Sequence, residues 1–396
     1  MSDATYDPYR PGAGRVPPLL AGRENLLAQF DTTLVQATGT GEGPRPQVLF
    51  GLRGVGKTSL LNEFVLRARE QRWLIVKIEA TPDRSLGKAI AQALYRPLRD
   101  MRTLTERGQD FVQRAMRVFT SFQLRFDPQG NATFGFNIEP ERGVADTGEL
   151  PADLVDVLTA IGTAARENGI ALLLAIDELQ DAPLEDLRTL NVALHELGQD
   201  PFPVPVVFVG AGLPSLPAVL ADATSYAERL YDYRFIGLLD EQDTRDAFTV
   251  PARAQGVYWN DDALDAVVEH AAGYPYFVQV AGHYSWEGRS GARIPLKAAT
   301  DGIAKAQREV DEGLYRSRWE RSTPAQREFM AAMVVDEGRP SSIADLVVRL
   351  GRRRSSDLSV ARRDLIAAGH IFAPERGYVA FTVPDMDDYI RRQPEV

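Results

Sequence analysis

Apolar positions along this chain follow two periods, and the change between them divides the sequence. Between residues 47 and 236, short apolar segments alternate with amphipathic helical stretches, whereas later residues keep mainly helical spacing. Several of the short segments are apolar on both faces, which is typical of parallel strands covered by helices on both sides. The pattern predicts an α/β fold in three layers around a parallel five-stranded sheet. The predicted strands are residues 47–50, 73–78, 170–176, 204–209 and 234–236.

The same pattern predicts four units along the chain. Residues 1–18 hold four prolines and two glycines without apolar periodicity, which indicates a flexible or extended leader. Residues 19–239 form the α/β core, and residues 240–321 carry only helical patterns and are predicted to form a helical lid. Residues 322–396 give the order helix, helix, helix and hairpin, which is that of a winged helix-turn-helix.

Residues 100–150 look like an insertion into the core. A helical pattern around Phe111, Val118 and Phe119 leads to two alternating segments, residues 122–126 and 133–138. The sequence DPQGN lies between them, so this stretch is predicted to be a β-hairpin.

The first chemical motif is GLRGVGKT, residues 51–58, which matches the phosphate-binding pattern G-x-x-x-x-G-K-[ST]. It lies between a predicted strand and a predicted helix, so that loop amides and the helix N-terminus can surround phosphate oxygens. Lys57 is predicted to reach the β- and γ-phosphates, and Thr58 to ligate Mg²⁺. A glycine turn that fits the pattern by chance is the alternative. The expected ATP/ADP-binding residues of this loop are Gly51, Leu52, Arg53, Gly54, Val55, Gly56, Lys57, Thr58 and Ser59.

The second motif is IALLLAIDEL, residues 170–179, in which an apolar strand ends in two carboxylates. Ligands of open α/β sheets bind at the carboxyl ends of the strands, which is where Asp177 and Glu178 are expected. Asp177 is predicted to hold Mg²⁺, and Glu178 to orient the attacking water. The alternative is that the two acids only cap a strand.

The amino-acid composition excludes several classes of protein and site. Lys and Arg number 45 against 55 Asp and Glu, a net charge of -10 that excludes a basic coat for nucleic acid but not a local basic face. Cysteine is absent, and the four histidines show no metal-ligand spacing. No apolar run is long enough for a membrane span, and the first residues lack a signal-peptide core. We expect a cytoplasmic protein without a membrane partner.

Together these motifs resemble the AAA+ and STAND branch of P-loop ATPases, in particular archaeal origin-recognition initiator-like ATPases. The resemblance covers residues 18–320 and, less specifically, the winged helix, and it implies a three-layer P-loop NTPase with a lid. LLAGREN, residues 19–25, is similar to the segment that packs around adenine, which implies that Gly22 and Arg23 lie at the nucleotide. GYPYFVQVAG, residues 273–282, resembles a lid motif whose proline, here Pro275, contacts the base side.

The same resemblance implies self-association. SYAERLYDYRF, residues 225–235, is similar to the segment that carries an arginine finger, with Arg229 the best match and Arg234 the second. A solvated or salt-bridged arginine is the alternative.

The sequence also departs from the family at two sensor positions. Gly210, Ala211 and Gly212 stand where a polar sensor is usual, and Tyr276 and Gln279 where a lid arginine is usual. Groups that stabilise developing charge on the γ-phosphate are therefore missing, so we expect a slowly hydrolysing ATPase.

Residues 322–396 contain 11 arginines and no lysine against 11 acidic residues, but the arginines cluster. Six of them and a single acid fall within residues 349–363, on the predicted helix-turn-helix. This favours an ATP-controlled switch that binds double-stranded DNA. The alternative is a signalling or defence NTPase whose winged helix binds protein and autoinhibits, and a scaffold without hydrolysis is a third possibility. The candidate DNA contacts are Arg352, Arg353, Arg354, Arg362 and Arg363.

Overall fold

A computed structural model describes residues 6–101, 109–126 and 138–393 of the chain. Its centre is a five-stranded sheet in the order β2-β3-β4-β1-β5, in which all neighbours run parallel. All five strands predicted for this sheet are present, with ends that differ from the predicted ones by about three residues or fewer. The strands are β1 Gln47–Phe50, β2 Leu74–Glu79, β3 Leu172–Asp177, β4 Val206–Gly212 and β5 Asp232–Phe235.

Helices cover both faces of this sheet and give two apolar cores, as expected for strands that are buried on both sides. One core lies under α3 to α8, and the other extends from α1 and α2 into the lid and the winged helix. The helices of this part are α1 Glu24–Thr40, α2 Lys57–Glu70, α3 Leu86–Met101, α4 Gln109–Phe126, α5 Leu150–Glu167, α6 Leu184–Gln199, α7 Leu216–Ala223 and α8 Ala227–Leu230.

The predicted hairpin in the insertion is wrong in its first half. Residues 122–126 form the last turns of α4 rather than a strand, because Ala115, Phe119 and Phe122 recur at helical spacing and are all buried. Five residues are too few to separate an alternating pattern from this helical one. Of the predicted second strand, residues 133–137 lie outside the described residues.

The lid contains the predicted helices and two features that the sequence did not indicate. The pattern after residue 239 predicted helices only, yet β6 and β7 form a short parallel pair there. The last predicted lid helix also changes winding at Asp311–Tyr315, a π-helical turn between α12 and α13. The lid elements are α9 Glu241–Ala254, β6 Tyr258–Trp259, α10 Asp261–Ala271, α11 Pro275–Glu287, β7 Arg293–Ile294, α12 Leu296–Val310 and α13 Arg316–Arg321.

Residues 6–18 of the leader contact the lid and α2, with a turn at residues 13–14. Tyr9 is buried, and its hydroxyl donates to the Phe248 carbonyl at 2.6 Å and accepts from Trp259 Nε1 at 2.9 Å. Tyr9 is therefore an aromatic anchor that fixes this part of the leader to the lid.

The last unit has the order of a winged helix, with a three-stranded sheet β8-β10-β9 beside its helices. Strand β8 and the final helix α17 were not predicted. No helix in the described part of the chain is long and apolar enough to cross a membrane. The elements of this unit are α14 Pro324–Met333, β8 Ser341–Ser342, α15 Ile343–Arg349, α16 Ser359–Ala367, β9 Ile371–Phe372, β10 Tyr378–Phe381 and α17 Met386–Arg391.

Candidate active site

The loop between β1 and α2 has a backbone that only glycine adopts easily. Gly54 and Gly56 have φ values of 77° and 93°, in the left-handed region. A Cβ on Gly54 would lie 2.2 Å from the Tyr274 hydroxyl, which itself donates to the Arg53 carbonyl. The lid therefore contacts this loop through Tyr274.

Lys57, the first residue of α2, lies beneath the loop and is almost fully buried. Its Nζ donates to the carbonyls of Gly51 at 2.9 Å and Leu52 at 2.7 Å. Burial lowers the pKa of Lys57 to about 8, although the nearby charges of Glu178 and Asp177 oppose this shift. The side chain is a fixed cation that an anion above the loop would stabilise.

Asp177 ends β3 beside this lysine and is only 7% exposed. Its carboxylate accepts hydrogen bonds from the Thr58 hydroxyl and, at 3.0 Å, from the Glu178 amide. Burial raises the pKa of Asp177, and the Thr58 hydrogen bond opposes the rise. Two oxygen ligands from different motifs therefore meet at one point.

This pair by itself is too small to hold a metal ion. The described residues contain no group of three His, Cys, Asp or Glu side chains placed to bind one. Mg²⁺ is commonly held by one or two protein oxygens together with substrate phosphates. Thr58 and Asp177 fit a magnesium site that bound phosphates would complete.

Glu178 is held by a neighbour that sequence reasoning missed. Gln180 Nε2 donates to Glu178 Oε2 at 2.8 Å, while Gln180 Oε1 accepts from the Leu213 amide at 3.0 Å. A Cβ on Gly212 would lie 2.3 Å from Gln180 Oε1, so the glycine at the end of β4 leaves room for this amide. Gln180 thus stands beside the strand end that lacks a polar sensor.

A cavity of about 400 Å³ opens above the loop, between the core, the lid and the leader. Its apolar side includes Leu20, Leu239 and Val278. Its charged side is almost entirely positive, with Glu178 the one carboxylate among the described residues that line it. The basic lining residues are Arg10, Arg15, Arg23, Arg53, Lys57 and Arg318.

Comparison with known families agrees with this geometry. Residues 19–209 match the family described as AAA ATPase domain, and residues 312–390 match a domain of unknown function. The chain carries an AAA ATPase domain. The expected resemblance to AAA-type ATPases is thereby confirmed for residues 19–209, and so is the three-layer P-loop fold with its parallel sheet.

Two solved structures share the fold of this chain, including its C-terminal unit. The ORC2 protein of Aeropyrum pernix is 14% identical, with 96% of this chain and 95% of that chain aligned and a TM-score of 0.59. A Walker-type ATPase of Pyrococcus abyssi is 17% identical over 94% of this chain and 96% of that chain, with a TM-score of 0.54. At such identities the likeness establishes the fold alone. No curated protein matches the sequence.

The loop residues expected at the nucleotide divide into two groups in the AAA ATPase domain. Gly51 and Leu52 lie behind the cavity and offer their carbonyls to Lys57. The remaining residues of the loop, from Arg53 to Ser59, line the cavity.

Among the residues expected near adenine, Arg23 and Pro275 line the cavity, whereas Gly22 is not part of its wall. A Cβ on Gly22 would lie 2.4 Å from Asp243 Oδ2, so this glycine allows close packing against the start of α9. Burial lowers the pKa of Arg23, whose guanidinium donates to the Gly237 carbonyl. Their contact with a nucleotide stays a prediction.

The leader also contributes to the cavity, through residues that sequence reasoning did not select. Arg10, Gly14 and Arg15 are in its wall. Asn62 Nδ2 and Ser59 Oγ, both on α2, donate to the carbonyls of Gly14 at 2.6 Å and Arg15 at 2.9 Å. Carbonyl contacts of this kind leave no residue-type pattern in a sequence.

Arg229 lies far from its own phosphate loop. It is on α8, just before β5, whereas the loop follows the carboxyl end of the parallel strand β1. Its side chain is exposed, and its carbonyl accepts from Arg45 Nη2 at 2.8 Å. Arg234 instead pairs with Asp232 at 2.8 Å. Arg229 therefore does not line the cavity above its own loop.

The basic stretch of the winged helix is partly neutralised. Arg352 Nη2 contacts Glu328 at 2.7 Å and Arg363 Nη2 contacts Asp364 at 2.9 Å. Arg353 and Arg354 are exposed, and within the described residues no ion pair holds their side chains. Arg362 is half-buried, and its Nε has no hydrogen-bond partner there.

Proposed function

We propose that this protein is an ATP-controlled switch that binds ATP with Mg²⁺ in the cavity and hydrolyses it slowly. The observation that carries the proposal is the charge of the cavity wall, with six basic side chains against one carboxylate in a chain of net charge -10. Such a local concentration of cations over a glycine loop and a helix N-terminus supports a polyphosphate ligand. The apolar side of the same cavity supports a base at its other end.

The residues at the carboxyl ends of β1 and β3 give each part of the reaction a candidate group. Lys57 and the loop amides would bind the phosphates, while Thr58 and Asp177 would hold Mg²⁺. Bound there, the metal would neutralise phosphate charge during transfer. Glu178 would orient the attacking water, and Gln180 would fix that carboxylate. Slow turnover is supported by the small residues at the end of β4, where no polar side chain reaches the cavity.

Hydrolysis is tested by comparing two isosteric changes near the site. Glu178→Gln is expected to keep ATP binding and to suppress phosphate release, because an amide cannot accept the proton. Glu185→Gln is the matched control, since Glu185 is exposed on α6 and pairs only with Arg188 among its described neighbours. Equal phosphate release by the Glu178→Gln protein and the control would contradict the catalytic assignment.

Assembly through Arg229 is the second element of the proposal. Since Arg229 lies at the opposite edge of the sheet from its own loop, it would act on a neighbouring subunit's nucleotide. Arg229→Ala is expected to lower ATPase activity without weakening ATP binding, whereas Arg234→Ala, which breaks only the pair with Asp232, should not. Specific activity should also rise with protein concentration. Activity independent of concentration, with a neutral Arg229→Ala, would indicate a monomeric switch.

The role of the winged helix has two candidates. DNA binding is supported by the exposed Arg353 and Arg354, which no carboxylate neutralises within the described residues. Autoinhibition is supported by packing, because a Cβ on Gly369 of the winged helix would lie 2.7 Å from Arg53 Nη2 in the phosphate loop. A DNA titration with and without ATP at several salt concentrations separates them, because phosphate contacts make affinity salt-dependent. A cytoplasmic location stays a prediction.

A further inference from the structure

Three cationic or titratable side chains from distant parts of the chain meet where the AAA ATPase domain contacts the winged helix. Arg53 comes from the phosphate loop, Arg318 from α13 and His370 from the turn after α16. Arg53 and Arg318 both line the cavity. Both also lower the pKa of His370 through their charge, with burial as the larger cause, to about 4. The groups are therefore close enough to interact.

The two arginines are half-buried and have no carboxylate partner within 4 Å in the described part of the chain. Arg53 Nε is buried without a hydrogen-bond partner in the described structure. The Arg318 guanidinium donates a hydrogen bond from Nη1 to Thr382 Oγ1 at 3.4 Å. Neither side chain forms an ion pair within the described residues. Burial and the charge of Arg53 lower the pKa of Arg318 to about 10.

Two other arginines of the cavity wall also donate to neutral groups, whereas Arg53 and Arg318 in addition lie near enough for the charge of one to lower the pKa of the other. Arg10 donates to the Val16 carbonyl at 3.3 Å, and Arg23 donates to the Gly237 carbonyl. Because buried charges are normally paired, an unneutralised pair inside a ligand cavity indicates that the missing partner is an anionic ligand. Among its described residues the chain pairs no carboxylate with either arginine, although its acidic residues outnumber its basic ones.

The position of Arg318 depends on the π-helical turn Asp311–Tyr315. This turn sets Leu314 in the cavity wall and Tyr315 on the side of the winged helix, where the Tyr315 hydroxyl donates to the Pro384 carbonyl at 2.7 Å. Arg318, one turn later, lines the cavity and reaches Thr382 of the winged helix. Local π winding of this kind is frequent at functional sites.

We propose that Arg53 and Arg318 together form a receptor for the terminal phosphate of the bound nucleotide, and that its occupancy strengthens the contact between the winged helix and the phosphate loop. The proposal rests on the proposed function, because it requires the cavity to bind ATP. Arg318 would then supply, from the last helix of the lid, the positive charge that Tyr276 and Gln279 do not provide.

The coupling follows from contacts that both arginines make with one turn of the winged helix. The Arg53 guanidinium lies against the backbone of Gly369. Arg318 contacts the Thr382 hydroxyl, and this hydroxyl donates to the Gly369 carbonyl at 2.6 Å. A phosphate between the arginines would remove their mutual repulsion at this junction, so that the turn is held more firmly.

Calorimetric titration of the full chain with ADP and with a non-hydrolysable ATP analogue, each with Mg²⁺, tests the receptor. Arg318→Gln is expected to lower the affinity for the ATP analogue by about tenfold to a hundredfold, which is the usual effect of losing a charge-assisted hydrogen bond. The affinity for ADP should stay nearly unchanged. Arg308→Gln is the matched control, because Arg308 is exposed on α12 and its Nε bonds only the Ala304 carbonyl. Arg318→Lys, which keeps the charge, should retain most of the preference for the ATP analogue.

The receptor would be overturned if Arg318→Gln lost equal affinity for both nucleotides. It would also be overturned if both Arg318→Gln and Arg318→Lys kept the full preference for the ATP analogue over ADP. If the unmodified protein bound neither nucleotide, the proposed function itself would fail, which is a distinguishable result. Hydrogen–deuterium exchange of residues 366–382 tests the coupling. Protection should rise with the ATP analogue more than with ADP in the unmodified protein, and equally with both in Arg318→Gln. An unchanged or lower protection with the ATP analogue would overturn the coupling.

Discussion

Replacing Gln180 tests whether the amide positions Glu178 for hydrolysis. Gln180→Ala removes the 2.8 Å hydrogen bond to Glu178 and the 3.0 Å hydrogen bond from the Leu213 amide. Gln180 is not part of the cavity wall. We therefore expect the change to lower kcat for ATP hydrolysis while the KM for ATP stays nearly constant.

The change also removes a third hydrogen bond, from Gln180 Nε2 to Asp181 Oδ1 at 3.2 Å, but the magnitude can be estimated from the two that involve Glu178 and Leu213. A positioned general base contributes about 10²- to 10⁴-fold to a rate, so that loosening Glu178 without removing it should lower kcat by about tenfold to a hundredfold. Leu213 is buried, and leaving its amide without an acceptor costs about 1–3 kcal/mol. The variant should therefore also have a lower Tm.

Gln180→Glu separates these two effects. The carboxylate keeps an acceptor for the Leu213 amide, so most of the stability should return. It cannot donate to Glu178, and it places a like charge beside that carboxylate, so kcat should stay low. Phosphate release at saturating ATP and thermal unfolding are the two measurements. An unchanged or raised kcat in Gln180→Ala, with hydrolysis still suppressed by Glu178→Gln, would refute the positioning role.

Three further predictions concern the loop, the junction and the winged helix. Gly54→Ala should weaken ATP binding and lower the Tm, because its φ of 77° disfavours a side chain and the new Cβ would clash with Tyr274; unchanged binding would refute this. Burial and nearby arginines lower the pKa of His370 to about 4, so the unfolded chain binds its proton first and stability should fall from about pH 6.5 toward pH 4. His370→Gln should reduce that fall in denaturation curves, and an identical pH dependence would contradict the assignment. Replacing Arg353 and Arg354 with Ala should lower the slope of log affinity for DNA against log salt by about 0.9 for each phosphate that the protein no longer neutralises, and an unchanged slope would exclude both arginines as phosphate ligands.

The strands and the nucleotide loop were predictable because their patterns are local. A strand that is buried on both faces is continuously apolar, and the glycine loop is defined by spacing within eight residues. Residues 122–126 were misassigned because Phe122, Leu124 and Phe126 alternate over a stretch too short to distinguish a strand from the helix they join. Local pattern alone does not resolve such a segment.

The site residues that could not be predicted from the sequence depend on contacts between distant segments. Arg318 and Arg53 are more than 200 residues apart in the sequence. Nothing in the sequence around α13 indicates that Arg318, rather than another arginine of this helix, lines a cavity. The same holds for Gln180, whose role depends on the space that Gly212 leaves at the end of β4. The small residues there indicate that a sensor is missing, but they do not indicate which side chain fills the space.

The central claim is that the basic cavity binds the phosphates of ATP, and calorimetric titration with Mg²⁺ and ATP tests it most directly. Lys57→Ala should lower the affinity for ATP at least about a hundredfold, because it removes a buried cation. The Lys57 pKa of about 8 leaves this cation mostly protonated at pH 7. Lys88→Ala, which removes an exposed lysine on α3, should bind ATP as the unmodified protein does. Equal affinities in Lys57→Ala and Lys88→Ala, or no binding by the unmodified protein, would contradict the account.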